Sequence, residues 1–335
     1  MKLEVDKAEF LAGVRKGRTM GSPVVLAVWN SDERLEKAPE LECPRPGHAD
    51  LVGHLKYDAP VRDILERASA RETVARVAAG ALCRLLLKEF RIDVRSHVIA
   101  LGAAAVPQDF QPTFDQMAAA DDNEVRCLHK PSAEQMIAAI DAAQKQGDTL
   151  GGICEVVAQG VPIGLGDHTQ WDRRLDGRIA QAMLSIQAIK GVEIGPAFAN
   201  ARLAGSQVHD PIQYTAAKVP TATGGFSRPS NRAGGLEGGI TNGQPIVVRL
   251  AMKPISTLMK PLPSVNLETG EPMQAGVERS DCCALPAAAV VAESMLACVL
   301  AQALCGKFGG DSLQEMLLNY RSYREQISRV RRARQ

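Results

Sequence analysis

Five short runs of this sequence carry side chains that could act on an anionic ligand. In Arg45-Pro46-Gly47-His48-Ala49-Asp50 a histidine stands two residues from an aspartate, on a segment stiffened by Pro-Gly. A histidine so placed could donate a proton to a leaving or reduced group. The alternative is a bystander histidine in a loop. In Arg67-Ala68-Ser69-Ala70-Arg71-Glu72-Thr73, two arginines flank what reads as a helix N-terminus. Free amides and the positive end of the helix dipole there suit a phosphate or a carboxylate; otherwise this is a capped helix with solvated arginines. Asn231-Arg232-Ala233-Gly234-Gly235-Leu236-Glu237-Gly238-Gly239 packs four glycines into nine residues, backbone that a planar ligand could approach closely, or a flexible turn. Lys253-Pro254-Ile255-Ser256-Thr257 sets an ammonium beside two hydroxyls, a phosphate-binding set or a strand-end turn. Arg279-Ser280-Asp281 pairs a cation with a carboxylate, as surface ion pairs commonly do.

Together these residues describe a ligand with several negative charges, met by Arg, Lys and backbone amides. There is no Walker-type loop, no G-x-G-x-x-G after a strand and no H-E-x-x-H. The formal net charge is +1, so an anion site depends on local clustering rather than on a global field. The run Arg329-Val330-Arg331-Arg332-Ala333-Arg334 reads as a solvated tail, and with no basic face elsewhere no nucleic-acid partner is expected. None of the eight cysteines forms a C-x-x-C pair, so no metal site is expected, and the scatter fits a reducing compartment. Cys83 and Cys298 fall inside helical patterns and read as core thiols.

These residues need elements to hold them. Hydrophobic residues make up 45% of the 335 and aromatics only 4%, so Ala, Val, Leu and Ile must fill the core. The pattern predicts strand, turn and strand over 5–30, then a long irregular loop over 31–66. A helix is predicted over 69–90, opened by a Ser69/Glu72 capping box, with Val74, Val77, Ala78, Ala81, Leu82, Leu85 and Leu86 as its apolar face. Further helices are predicted over 133–146 (capping box Ser132/Gln135), 175–190 and 286–304, with a strand pair over 150–163 and a loop over 203–230. Gly17-x-x-x-Gly21-x-Pro23-Val-Val echoes Gly239-x-x-x-Gly243-x-Pro245-Ile-Val-Val, which reads either as two ordinary hairpins or as a duplicated unit. We read one domain over 1–325 and a basic tail over 326–335. No unbroken apolar run of about 18 residues and no apolar N-terminal signal region occur, so no membrane association is expected and a cytoplasmic location is the default.

Six runs resemble the chorismate synthase family, in that family's own order. They are Arg45 to Asp50, Arg67 to Thr73, Ala182-Met-Leu-Ser-Ile-Gln-Ala-Ile-Lys-Gly-Val-Glu193, Asn231 to Gly239, Gly243-Gln-Pro245 and Lys253 to Thr257. The resemblance runs from about residue 3 to about residue 325. It implies an α+β fold, a β-α-β sandwich with a helical layer between two antiparallel sheets and an internal duplication, assembled as a homotetramer. The implied reaction is 1,4-elimination of phosphate from 5-enolpyruvylshikimate 3-phosphate to give chorismate. Reduced FMN is the implied cofactor, with NADPH as a reductant for it. Matched by position, Arg67, Ala68, Ser69, Gln187, Ala188, Gly238, Lys253, Pro254, Ile255, Ser256, Thr257 and Arg279 are the implied flavin contacts. Arg71 is the implied substrate-anion arginine. His48 is the implied proton donor to reduced flavin, and Asp281 the residue that helps remove the C6 proton.

Three departures from the family pattern stand out. The family's opening Gly-Glu-Ser-His-Gly strand and its arginine-rich successor have no counterpart, and Met1 matches a point well inside the usual chain. Two expectations follow: an internal methionine taken as the start of an intact enzyme, or a shortened flavin- and anion-binding remnant without lyase activity. Gln187 stands where the family usually has Asn, and its extra methylene moves the amide by about an ångström. The loop between Trp29 and Arg45 is shorter than usual, and Ser280 and Cys282 replace the usual His and Pro around Asp281.

Overall fold

The computed structural model describes residues 6–30, 39–216, 219–278 and 280–329. In chain order the elements are β1 (Ala8–Ala12), β2 (Val14–Arg15), β3 (Arg18–Thr19), β4 (Val25–Val28), α1 (Asp50–Tyr57), α2 (Val61–Ala68), α3 (Thr73–Glu89), β5 (Asp93–Leu101), β6 (Ala104–Ala105), α4 (Lys130–Lys145), β7 (Gly152–Gln159), α5 (Leu175–Leu184) and β8 (Ile189–Ile194). There follow α6 (Ala197–Asn200), α7 (Gly205–Val208), β9 (Gln213–Tyr214), β10 (Phe226–Ser227), β11 (Leu236–Glu237), β12 (Ile240–Thr241), β13 (Ile246–Met252), β14 (Pro263–Val265), β15 (Pro272–Gln274), α8 (Leu285–Phe308) and α9 (Leu313–Arg329).

Five strands form one antiparallel sheet in the order β6-β5-β7-β13-β8. Strand alternation sends Val98, Cys154, Val156, Val248 and Leu250 to one face, where each is wholly buried. That face packs on α8, which also contacts α3 and α5. Because α8 has neighbours on several sides, it is apolar nearly all round rather than along one stripe. Its best window reaches a mean hydropathy of 1.9, long and apolar enough to cross a membrane, although Glu293 and Ser294 interrupt the run. In this fold 72% of that window is buried inside the protein, as a core helix. On the far side of α3 lies the β1–β4 pair. The layer order is therefore sheet, helices, sheet, the expected α+β arrangement, with the second sheet represented among the described residues by β1 and β4.

A Cβ on Gly80 would fall 2.6 Å from the Cα of Ser294, so α3 and α8 meet almost backbone to backbone there. Cys83 and Cys298, one turn further along each helix, are half-buried and hydrogen-bonded to each other. Glu293 is buried beside them and ties three elements together. It accepts from Ser96 Oγ (2.6 Å), Arg126 Nη2 (3.0 Å) and Arg84 Nη1 (2.7 Å). Burial raises its carboxyl above the usual range despite those donors.

The internal echo is a structural repeat. β2 pairs with β3 and β11 with β12 in the same two-on-two register, each framed by three glycines at the same spacing: Gly13, Gly17 and Gly21, then Gly235, Gly239 and Gly243. Met20 donates to Gly13 O (3.1 Å) as Asn242 donates to Gly235 O (3.0 Å). A Cβ on Gly13 would lie 2.3 Å from Pro23 O, and one on Gly235 would lie 2.5 Å from Pro245 O. Both need glycine because the following strand passes directly over them.

Several predicted elements differ from the structure. The second half of the expected 31–66 loop is helical: Pro60 opens α2, and Asp58 ends α1 in a left-handed conformation (φ 51°). Residues 31–38 lie outside the described residues. Ser69 accepts from Arg71 N, but Glu72 does not complete the capping box, because Ser69 N is already bonded to Glu66 O. A 3-10 turn therefore precedes α3, which starts at Thr73. The next helix begins at Lys130, not 133, capped by His129, while Ser132 Oγ bonds Ala105 O. The expected strand pair at 150–163 is the single strand β7, whose partners β5 and β13 are distant in sequence. α5 stops at Leu184, because Ala188 turns the chain in a left-handed conformation (φ 64°) into β8. The 203–230 stretch is mostly irregular but holds α7 and the β9–β10 pair. α8 outruns the expected 286–304 by a few residues. The expected tail at 326–335 begins inside α9, whose Met316 and Tyr320 pack on the core. Residues 330–335 lie outside the described residues.

Candidate functional site

The Arg45–Asp50 run folds into a tight turn ahead of α1, with Gly47 at φ 77°. Asp50 is fully buried at the first position of the helix, where a carboxylate also meets the positive dipole end. It accepts from Arg45 N (3.0 Å), Arg45 Nε (2.8 Å) and Arg45 Nη2 (3.1 Å), and it contacts His48 Nδ1. Burial alone would raise its carboxyl; the bonds from His48 and Arg45 outweigh burial and hold it well below the ordinary carboxylate range. An ionised carboxylate can only accept, so Asp50 favours a hydrogen on His48 Nδ1; Arg45 Nη2 lies 3.0 Å from the same nitrogen. Arg45 is itself buried, and its Nη1 donates to Thr257 Oγ1 (2.6 Å). His48 remains one-fifth exposed.

Thr257 ends another predicted run, Lys253–Thr257, which leaves the sheet after β13. Lys253 N donates to Ala188 O (2.9 Å), and Lys253 Nζ donates to Gly47 O (2.6 Å). Burial, with Lys190 close by, lowers the basicity of the Lys253 ammonium. Ile255 O accepts from Thr149 Oγ1 (2.6 Å), and Thr257 O accepts from Ser280 Oγ (3.0 Å). That last bond brings the 280–282 segment alongside, with Asp281 exposed. Arg279 lies outside the described residues.

A second group meets the first at Gln187 and Ala188. Ser69 Oγ accepts from Arg71 N (3.3 Å), and Arg71 makes a two-armed pair with Asp6 (2.8 and 3.1 Å). Glu72, just before α3, accepts from Arg76 Nη2 (2.7 Å) and from Gln187 Nε2 (2.7 Å), and lies 3.9 Å from Arg67. The Gln187 bond, opposed by burial and aided by Arg76, lowers the Glu72 carboxyl. Gln187 Oε1 is buried and meets no donor among the described residues. Ala68 closes α2 just ahead of Ser69.

Most of the predicted residues thus fall on one connected network: Arg67, Ser69, Gln187, Ala188, Lys253 to Thr257, His48 and the Asp281 segment. Gly238 does not join it within this chain. Its neighbour Gly239 accepts from Leu175 N at the start of α5, whereas Gln187 follows the end of that helix, about 15 Å away along its axis. Glu72 and Thr149 are members that sequence reasoning did not single out. Glu72 stands inside a quoted motif, but its partner is distant in sequence. Among the described residues no group of three or more His, Cys, Asp or Glu side chains is placed to hold a metal ion.

The arrangement suits a flat, polar, anionic ligand. It offers a lysine ammonium and hydroxyls for a phosphate, an imidazole held by a buried acid for proton movement, and an unpaired buried acceptor for a ring N–H. Comparison with known proteins points the same way. The family model for chorismate synthase matches residues 1–305. The chain is 53% identical over 342 residues to the chorismate synthase of Moorella thermoacetica, covering 98% of this chain and 87% of that protein. It is 50% identical over 344 residues to the chorismate synthase of Geobacter sulfurreducens, with 98% and 87% covered. A solved crystal structure of chorismate synthase superposes with a TM-score of 0.80 at 44% identity, covering 96% of this chain and 85% of the other. The matches lend no support to the expected missing opening segment or to the remnant reading.

Proposed function

From the premise that this chain belongs to the chorismate synthase family of lyases, enzymes of aromatic biosynthesis, we propose that it converts 5-enolpyruvylshikimate 3-phosphate to chorismate. The observation that carries this reading is the clamp on His48: a buried carboxylate and a buried guanidinium orient one partly exposed imidazole next to Lys253. Reduced FMN, when bound, supplies electron density as phosphate leaves and recovers it afterwards, with no net redox change.

The unpaired Gln187 oxygen and the Lys253–Thr257 stretch fit such a cofactor. Lys253, Pro254, Ile255, Ser256 and Thr257 would hold its phosphate end. Arg67, Ala68, Ser69, Gln187 and Ala188 would line its ring, with Arg279 and Gly238 as further contacts. His48 would hold or release a proton at Nε2, since Nδ1 faces Asp50. Asp281 would help take up the C6 proton. Arg71, whose guanidinium meets the Asp6 carboxylate, would exchange that partner for an anionic group of the substrate. The reading extends to a homotetramer in the cytoplasm, with NADPH as a reductant of the flavin.

The test is an anaerobic assay of the chain with reduced FMN and the enolpyruvyl substrate, following chorismate by absorbance. Chorismate formation that drops at least tenfold in His48→Ala and in Asp281→Ala, with flavin still bound, supports the reading. A folded, flavin-loaded protein that makes no chorismate would overturn it.

A further inference from the structure

The Gln187 amide is not free to choose which end it presents. Glu72 faces one end at 2.7 Å, and the same carboxylate holds Arg76 through Nε (3.0 Å) and Nη2 (2.7 Å). Arg76 is anchored in turn on Ser185 Oγ (2.7 Å), two residues before Gln187. With these donors converging on it, Glu72 is an ionised acceptor, and only the NH2 end of an amide can face it. The carbonyl end therefore points away, and that oxygen is the buried atom without a donor. The backbone cannot relieve it easily. Ala188 is held left-handed, its carbonyl bonded to Lys253 N, and β8 begins at the next residue. A buried amide oxygen left unpaired is costly, and such atoms in native proteins call for a partner.

We propose that Glu72 is a positioning residue that fixes the Gln187 amide so that Oε1 can only accept, and that this acceptor favours the reduced over the oxidised flavin ring. The inference rests on the reading of Gln187 as a flavin contact. The chemical reason lies in the ligand: two-electron reduction of the ring system adds N–H donors that the oxidised ring lacks. An acceptor locked in place rewards those donors, whereas an amide free to flip can serve a donor or an acceptor equally. The longer side chain at this position remains usable because Glu72 and Arg76 brace it from the α3 side.

The experiment measures FMN affinity anaerobically, reduced and oxidised, for the wild type, Glu72→Gln, Gln187→Ala and the double variant. A neutral glutamine at 72 can donate or accept, so it no longer dictates the orientation at 187. The wild type should bind reduced FMN more tightly, and Glu72→Gln should shrink that preference threefold to tenfold, the worth of one hydrogen bond. In the Gln187→Ala background, Glu72→Gln should change the preference no further. If Gln187→Ala leaves both affinities unchanged, Gln187 is not a flavin contact, and the reading beneath the proposal fails. If Gln187→Ala weakens binding while Glu72→Gln keeps the full preference, the contact stands and the positioning role is overturned. Equal effects of Glu72→Gln with and without Gln187 would also overturn it, because Glu72 would then act by another route. Urea unfolding of each variant shows that a folded protein is being compared.

Discussion

Replacing Asp50 by Asn keeps the shape of the side chain and removes its charge. In the folded protein, three donor atoms of Arg45 and one nitrogen of His48 converge on this carboxylate, which has no exposed surface. The amide can still accept on one oxygen, but its NH2 group then faces donors. Arg45 keeps its 2.6 Å bond to Thr257, so the guanidinium is not left wholly bare. Hydrogen bonds to charged groups are worth about 1.5–3 kcal/mol, and breaking a buried ion pair costs about 3–5 kcal/mol. We expect a loss of about 2–4 kcal/mol for Asp50→Asn, read as a lower urea midpoint at constant slope. Asp6→Asn, which breaks a partly exposed pair, should lose less than about 1 kcal/mol. Acid gives a second reading. The folded Asp50 carboxyl is depressed, so its stabilisation is complete above the unfolded value of about 4 and is lost as pH falls through the lower folded value. The gap between wild type and Asp50→Asn should therefore narrow only below about pH 4. Turnover should fall about a hundredfold or more, because His48 loses the group that orients it. An Asp50→Asn protein with the wild-type urea midpoint and wild-type turnover would refute the reasoning.

Other substitutions probe the packing that holds the site. Gly80→Ala would place a methyl 2.3 Å from Ser294 Cβ, so α3 must shift off α8; a loss of about 1–3 kcal/mol is expected despite the better helix propensity, and a neutral or raised thermal midpoint would contradict that close approach. Gly235→Ala meets Pro245 O at 2.5 Å, whereas Gly238→Ala meets nothing within 4 Å. The first should be markedly destabilising and the second cost only about 1 kcal/mol for its left-handed backbone, so equal unfolding midpoints would count against the repeat geometry. The Cys298 thiol, lowered by its bond from Cys83, should alkylate with iodoacetamide well before Cys154, which burial pushes up to about 12; equal rates by peptide mass mapping would disprove the contact.

Much of the site was legible in one dimension because its parts are local. The His48–Asp50 spacing, stiffened by Pro46 and Gly47, already predicts a histidine that could donate a proton, and the structure adds that Asp50 meets its ring and that Arg45 completes the clamp. The glycine echo is likewise local, because each hairpin needs left-handed positions that only the chain's own residues can supply. The helical character of α3 and the apolar length of α8 follow from spacing, but the face of α3 does not: Ala81 and Leu85 of the expected apolar stripe are exposed, and Gly80 and Leu87 are its buried residues. The ordered motifs carry the family resemblance, which the comparisons uphold.

What needed three dimensions are the features whose partners lie far apart in the chain. No local pattern says that Gln187 turns its amide to Glu72, that Ala188 receives Lys253, or that Arg45 reaches Thr257. Local pattern does not reveal β5 and reads β7 as half of a local pair, because a strand's hydrogen bonds belong to its neighbours and here those neighbours are distant in sequence. α3 starts a few residues later than the spacing predicts because Ser69 N bonds Glu66 O instead of the Glu72 side chain. Local sequence sets which conformations and which donors and acceptors exist. Only the packing of α3, α5 and the five-stranded sheet decides which of them meet, because burial makes an unmet polar group costly and so selects among the pairings that the chain allows.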